Sequence, residues 1–593
     1  MSGVSNGGAE SREPPALAEP GFFGTDPDRP RFGWLHRPAA PMNGVGLVVV
    51  PPFGYEAICA QRSLRVLAVQ AACAGLVAVR VDLDGTGNSM GDDLDADRLD
   101  AWLASIDDAC ALARGAGAER LVLVGVRLGV SLATLAARRR DDVAGLVAIA
   151  AVPRGKAWLR EGRVLQMAMQ LTPAPAAADA TDDAQELAGF ALTAQTREAI
   201  AAIDLLALDR APAPAVLLLD RDDLPGNDTW ATHLAALGCE VSQQRLPGYV
   251  EMMLDPHRIV VPQAIVDAAV GFAAARPALA NVPRDRGPVL SLQRRIAWQG
   301  EGAALSEEVV RLDECLLALV TRPVAAPRSA VILLNAGAIG QVGPNRLHVV
   351  LARRLAAAGY LVMRLDISGI GDSPARPGAE ENVVYSTHAL DDIGLALAWV
   401  RRIVTGRVAV AGLCAGAYHA LRVAIAGHAV ETVLAINPLT FHYTPGMPLD
   451  FAGFRVAIEA KRYQKSMVSG ASWRKVLRGD VDLVRVAKIV LHRARHAAAR
   501  PLRDLARRLH WPLRDDLGTE LAGLAQRGVA LRFIFAADDP GQQLLLDEGG
   551  AVVRRLAASG HLRTRVIDGA DHTFTARWTH PILLDAITEA IEH

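Results

Sequence analysis

One order of segments runs through this chain twice, and nothing else in the sequence narrows its fold as far. Each half opens on a strand-like stretch ending in Arg-Pro, "FGWLHRP" (32–38) and "CLLALVTRP" (315–323). Each continues as an apolar run into a turn, "GVGLVVVPPFG" (44–54) and "SAVILLNAGAIG" (329–340). A helical pattern and another strand follow, closing on "VDLDGTGNS" (81–89) and "RLDISGIGDS" (364–373). After an amphipathic helix comes a strand that turns straight into a small-residue helix, "RLVLVGVRLGVSLATLAA" (120–137) and "RVAVAGLCAGAYHALRVA" (407–424). Later segments repeat as well, "AVLLLDRDDLPG" (215–226) against "LRFIFAADDPG" (531–541) and "LPGYVEMML" (246–254) against "IDGADHTFT" (567–575).

Apolar strands alternating with helices of ten to fifteen residues predict parallel sheets covered on both faces. A chain of 593 residues is also too long for one core. The expected fold is therefore α/β, as two tandem domains with parallel central sheets flanked by helices. We place them at 21–275 and 296–593. The Pro- and Arg-rich stretch 276–295 reads as a linker, and the polar residues 1–20 read as a disordered leader without the apolar stretch of a signal peptide.

Composition excludes several classes. A net charge of −1 gives no global attraction to nucleic acid. The six cysteines lie far apart, at 59, 73, 110, 239, 315 and 414, with no zinc spacing and no disulfide framework. A reduced cytoplasm is the expected location. No apolar run reaches the length needed to span a bilayer. The glycine-rich "DGTGNSMG" (84–91) and "SGIGDS" (368–373) recur at one place in both halves, which fits a structural turn better than a dinucleotide site. No cofactor or metal is expected. His388, His419 and His442 lie near the second candidate site, none with a metal-like i, i+4 partner, and His419 reads as a packed histidine.

The segment "GLCAG" (412–416) has the form of a nucleophile elbow, a strand-to-helix turn so tight that glycines flank the central residue. Cys414 occupies the nucleophile place. A lone buried cysteine is ordinarily structural, but here an acid and a histidine follow in the order the chemistry needs. Asp539 stands just past the strand "LRFIFAA", with Asp538 as the competing acid, and His572 stands on the loop before the last helix.

On these motifs both halves resemble the α/β-hydrolase family, in its serine-aminopeptidase-like branch of esterases, thioesterases and lipases. The resemblance implies that Cys414 attacks an acyl carbonyl, that His572 takes and returns the proton, and that Asp539 holds the imidazole. It also implies an oxyanion hole from the N–H of Ala415 and an N–H near Gly337 or Ala338. Cysteine is a minority choice in that family, and a thiol beside a helix N-terminus and a histidine suits ester or thioester substrates. The expected activity is acyl hydrolysis. Acyl transfer on the same site, and a non-catalytic binding or scaffold protein, are the alternatives.

In the first half the elbow reads "GVRLG" (125–129), with Arg127 at its centre, and "PGYVEM" aligned with "DGADHT" sets Glu251 against His572. Asp223 marks the acid position. Arginine stays protonated and is no nucleophile, so this half is expected to be a degenerate copy. Its two replacements predict an Arg127–Glu251 ion pair across the dead site, either structural or anion-binding.

The second half also carries a long helical insertion, about 441–527, that is the most basic part of the chain. It is expected to form a lid over the nucleophile. As a solvated face it needs no partner. As a recognition element it would meet an anionic one: an acyl carrier, coenzyme A or a membrane surface. The substrate itself would be a small or carrier-bound acyl compound.

Overall fold

The computed structural model describes residues 17–39, 42–169, 184–276, 288–300, 302–447, 503–507, 509, 511, 513–537 and 539–592. Contacts divide the chain into two compact units, with the main boundary between Ile296 and Ala297. The first contains strands β1 (Leu17–Phe23), β2 (Arg31–Arg37), β3 (Val45–Val50), β4 (Val77–Asp82), β5 (Arg120–Val126), β6 (Val143–Ile149), a ribbon of β7 (Gln185–Leu187) and β8 (Phe190–Leu192), β9 (Ala215–Arg221) and β10 (Glu240–Leu246). The second sheet is built from β11 (Arg295–Gln299), β12 (Ala304–Asp313), β13 (Leu316–Pro323), β14 (Ser329–Leu334), β15 (Tyr360–Asp366), β16 (Val408–Leu413), β17 (Thr432–Ile436), β18 (Ala530–Ala536) and β19 (Leu562–Ile567).

The first sheet runs β1-β2-β4-β3-β5-β6-β9-β10 and the second β11-β12-β13-β15-β14-β16-β17-β18-β19. Apart from β11, the second order repeats the first strand for strand. In both sheets β-pairing is antiparallel at the opening strands and parallel from the central strand onward. The fold is thus two α/β domains in tandem.

Successive strand residues face opposite sides of a sheet, so a strand buried on both sides feeds two cores. In β3, Val48 and Val50 enter one core while Val45, Leu47 and Val49 enter the other. In β14, Ile332 and Leu334 divide from Val331 and Leu333 in the same way. Each such side chain contributes on the order of 2 kcal/mol, which is why unbroken apolar runs in the sequence became central strands.

The glycine-rich turns close on their own strands. In the second unit the N–H of Asp372 donates to Asp366 at 3.0 Å and Ser373 donates to the Asp366 carbonyl. In the first, Asn88 and Ser89 do the same to Asp82. Gly371 has φ +60°, and a Cβ there would collide with the Asp366 carboxylate. The glycine serves this wrap, so the loop closes on a carboxyl group of its own strand.

Three expected boundaries need correction. Residues 17–20 belong to β1, whose Pro20 is tolerated on an edge strand, so the leader is shorter than 1–20; residues 1–16 lie outside the described set. The supposed linker is docked from residue 288 onward: Gln293 exchanges backbone hydrogen bonds with Phe22, and Leu290 and Leu292 pack on the first core. The lid was drawn too long, because Leu517–Gln526 is a helix covering the sheet, with Leu517, Leu521 and Leu524 buried in the core. The basic residues 448–502 lie outside the described residues. Among the described residues no helix is long and apolar enough to cross a membrane.

Candidate active site

Strand β16 ends at Leu413, and the helix Ala415–Ile425 begins two residues later. Cys414 between them holds φ 58°, ψ −116°, a conformation that costs a non-glycine residue of order 1–3 kcal/mol. The turn forces this: a Cβ on Gly412 would collide with the backbone of Gly416. Cys414 is only half-buried, so the strained turn presents the sulfur rather than sealing it. Ala415 is the first helical residue, and its N–H lies outside the intrahelical ladder. Gly337, with φ +61°, borders open space, since a Cβ there meets nothing within 4 Å. Ala338 packs with Val384, Tyr385 and Ala415 in one small cluster.

His572 Nδ1 lies 2.6 Å from Asp539 Oδ2, a short charge-assisted bond whose carboxylate is fully buried. The N–H of Gly541 donates to the other oxygen, Oδ1, at 2.8 Å. Burial by itself pulls the His572 imidazolium down. The charge of the Cys414 sulfur, the hydrogen bond to Asp539 and the Asp539 charge outweigh it, pushing His572 up to about 10. Imidazole and carboxylate are one hydrogen-bonded pair, and the sulfur acts on it through its charge. Asp538 lies outside the described residues, and Asp539 is the carboxylate in contact.

Several residues of this site carry no motif. Asn437, fully buried with φ 44°, donates to the His572 carbonyl at 2.7 Å and accepts from Ala536 N–H at 2.8 Å. It fastens the histidine loop to the ends of β17 and β18. Asp571 accepts from Thr575 N–H, at 2.6 Å, and from the hydroxyls of Thr573 and Thr575, bracing the same loop. Tyr385, Tyr418 and Tyr443 form an aromatic wall beside the elbow: Tyr385 stacks on Tyr443 at 4.3 Å and meets Tyr418 edge-on at 5.1 Å. Burial raises the Tyr385 phenol, and the Cys414 sulfur raises it further. The only sequence signal was density, three of seven tyrosines falling between 385 and 443. His419 is buried, its Nε2 3.0 Å from the Val384 carbonyl, and His442 lies against Glu520 and Glu548. Among the described residues no group of His, Cys, Asp or Glu could hold a metal ion.

The first unit keeps the turn and loses the imidazole–carboxylate pair. Arg127 has φ 56°, ψ −118°. Its expected partner Glu251 is exposed; the guanidinium instead pairs with Glu56 at 2.8 Å and with Glu161. The alignment itself holds by register. Leu246 pairs with Arg221 and Ile567 with Ala536, so five residues further on stand Glu251 and His572. A single helical turn, Tyr249–Met252, buries Tyr249 and Met252 and turns Glu251 outward. The two carboxylates balance the charge of Arg127, which favours the structural reading of this pair over anion binding. Asp223 is corrected too. Ile149 pairs with Leu219 and Ile436 with Ile534, so the counterpart of Asp539 is Leu224, and Asp223 pairs with Arg221 at 2.5 Å.

No protein-family model and no curated protein matches the chain. Solved structures similar to part of it include Est1E from Butyrivibrio proteoclasticus with ferulic acid bound, at TM-score 0.31 and 15% identity, covering 42% of this chain and 97% of that one. A lipase in an open form has TM-score 0.31 and 17% identity over 44% of this chain and 100% of its own. Brefeldin A esterase, a bacterial homologue of human hormone-sensitive lipase, has TM-score 0.30 and 17% identity over 46% and 80%. Each likeness is one of fold, over less than half of this chain.

Proposed function

We propose that the second unit is an acyl hydrolase for carboxylic esters or thioesters, with Cys414 as nucleophile, His572 as proton carrier and Asp539 as its orienting acid, and that the first unit is a non-catalytic copy. One observation carries this reading: His572 bonds Asp539 on one side and interacts with the Cys414 sulfur on the other, at a strained, half-open elbow.

In this reading His572, oriented by Asp539, takes the Cys414 proton and leaves a thiolate beside an imidazolium. The thiolate attacks the acyl carbon, a C–S bond forms, and the carbonyl π pair moves onto oxygen, where N–H groups of Ala415 and of Gly337 or Ala338 would receive it. Collapse expels the alkoxide or thiolate, which takes the imidazolium proton. His572 then removes a proton from water, the hydroxide adds to the thioester, and Cys414 leaves as thiolate.

The test is a panel of short- and long-chain p-nitrophenyl esters and acyl-CoA thioesters, run on wild type, Cys414→Ala and His572→Ala, with iodoacetamide labelling in parallel. Turnover lost in both variants, and labelling at Cys414 faster than at the other five cysteines, is expected. Native Cys414 labelling no faster than the rest, unaffected by His572→Ala, would leave a binding protein instead.

A further inference from the structure

The loop expected to carry the second oxyanion donor hangs from one side chain. Asn335 follows β14 directly, and its carbonyl oxygen is the nearest neighbour of a Cβ built on Gly416, at 2.8 Å, so its main chain abuts the elbow. Its side chain makes three hydrogen bonds. Nδ2 donates to Asp366 Oδ1 at 2.7 Å and to the Ile339 carbonyl at 3.0 Å, and Oδ1 accepts from Ile367 N–H at 2.9 Å. These bonds bracket residues 336–338 on one side and tie them to the end of β15 on the other. Both Asn335 and Asp366 are buried.

The first unit supplies a control within the same chain. Val50 pairs with Gly125 as Leu334 pairs with Gly412, so Pro51 holds the place of Asn335 and Phe53 that of Gly337. The Pro51 carbonyl likewise abuts the second elbow glycine, Gly129. Yet proline has no side-chain donor, and the Phe53 ring fills the space, packed against Trp102, Trp158 and Phe190. The tie is present where the triad is present and absent where Arg127 stands.

From this we infer that Asn335, anchored on the buried Asp366 carboxylate, is the positioning residue that holds the Gly337–Ala338 N–H groups on the developing oxyanion. The inference rests on the acyl-transfer chemistry proposed above. A loose loop would leave the thiolate intact and weaken only carbonyl chemistry, because an N–H displaced by about 1 Å costs roughly 10²-fold. The groups facing Asp366 are Asp372, whose N–H it accepts, and Arg364, itself paired with Glu307 at 3.1 Å.

The experiment compares two reactions of Cys414 in the full chain. Alkylation by iodoacetamide needs the thiolate but forms no oxyanion; acylation by p-nitrophenyl acetate needs both. Asn335→Ala is expected to slow acylation by about 10²-fold while alkylation stays within about twofold. Asn335→Asp places two carboxyl groups together. With a shared proton at low pH the tie persists, and the acylation-to-alkylation ratio should then fall steeply as pH rises, unlike that of wild type. This second variant carries the test should Asn335→Ala fail to fold. Equal loss of both reactions, or an unchanged ratio in either variant, overturns the inference. If wild-type Cys414 shows no selective alkylation, the catalytic reading itself fails and takes this one with it.

Discussion

Arg127 and Cys414 share one backbone conformation, φ 56°, ψ −118° and φ 58°, ψ −116°, although one side chain is a permanent cation and the other a thiol. The strain belongs to the strand-to-helix corner, since small residues on both sides bring strand and helix into contact whichever residue stands between. In the second unit that corner presents a half-buried thiol. In the first it presents a guanidinium held by Glu56 and Glu161.

Arg127→Met should therefore destabilise the first unit by about 1–3 kcal/mol, less than for a fully enclosed pair because Glu161 is half-exposed. The cause is Glu56, left with a largely buried carboxylate. Adding Glu56→Gln should recover part of the loss. Urea unfolding of the two variants checks this, and a double variant no better than the single one would place the cost elsewhere.

The proton on His572 is predicted to depend on sulfur. With Cys414→Ala the largest upward contribution is gone, and the imidazole should titrate well below about 10. The wild-type pair adds stability that is fully present below the ordinary histidine range and lost as pH rises through about 10. Nitrogen-15 NMR of the imidazole follows the first effect and chemical denaturation across pH the second.

Asn437→Gly keeps the positive φ and removes only the side chain, leaving the Ala536 N–H without its buried acceptor. We expect about 2 kcal/mol of destabilisation. We also expect kcat to fall more than KM changes, because the histidine loop loses its fastening at the His572 carbonyl. A variant with unchanged kcat would show that Asp571 and Asp539 suffice to hold the loop.

Asp366 is pushed up to about 7 by burial and by the charge of Asp372, against the N–H groups and Asn335 that favour its ionised form. Its folded-state value lies above the unfolded one, so the folded protein keeps a proton that the unfolded chain releases. Stability is then highest below about pH 4 for this group and declines as pH rises toward 7. Asp366→Asn should flatten that decline by on the order of 4 kcal/mol. Parallel slopes for the two proteins in denaturant titrations would contradict it.

Much was legible in the sequence because it depends on local chemistry and chain order. The repeated plan, the unbroken apolar strands, the glycines around Cys414 and the order of Cys414, Asp539 and His572 follow from turn sterics and hydrophobic pattern. Strand register even upholds the alignment of Glu251 with His572. Tertiary structure alone decided where side chains point and which distant groups they meet. One turn of helix at Tyr249–Met252 swung Glu251 outward, and Arg127 found carboxylates 71 and 34 residues away in sequence. Asn335 and Asp366, 31 residues apart, became partners because β14 and β15 lie side by side. A periodic pattern records which face a residue occupies; only the folded chain sets the directions and distances on which hydrogen bonds and ion pairs depend.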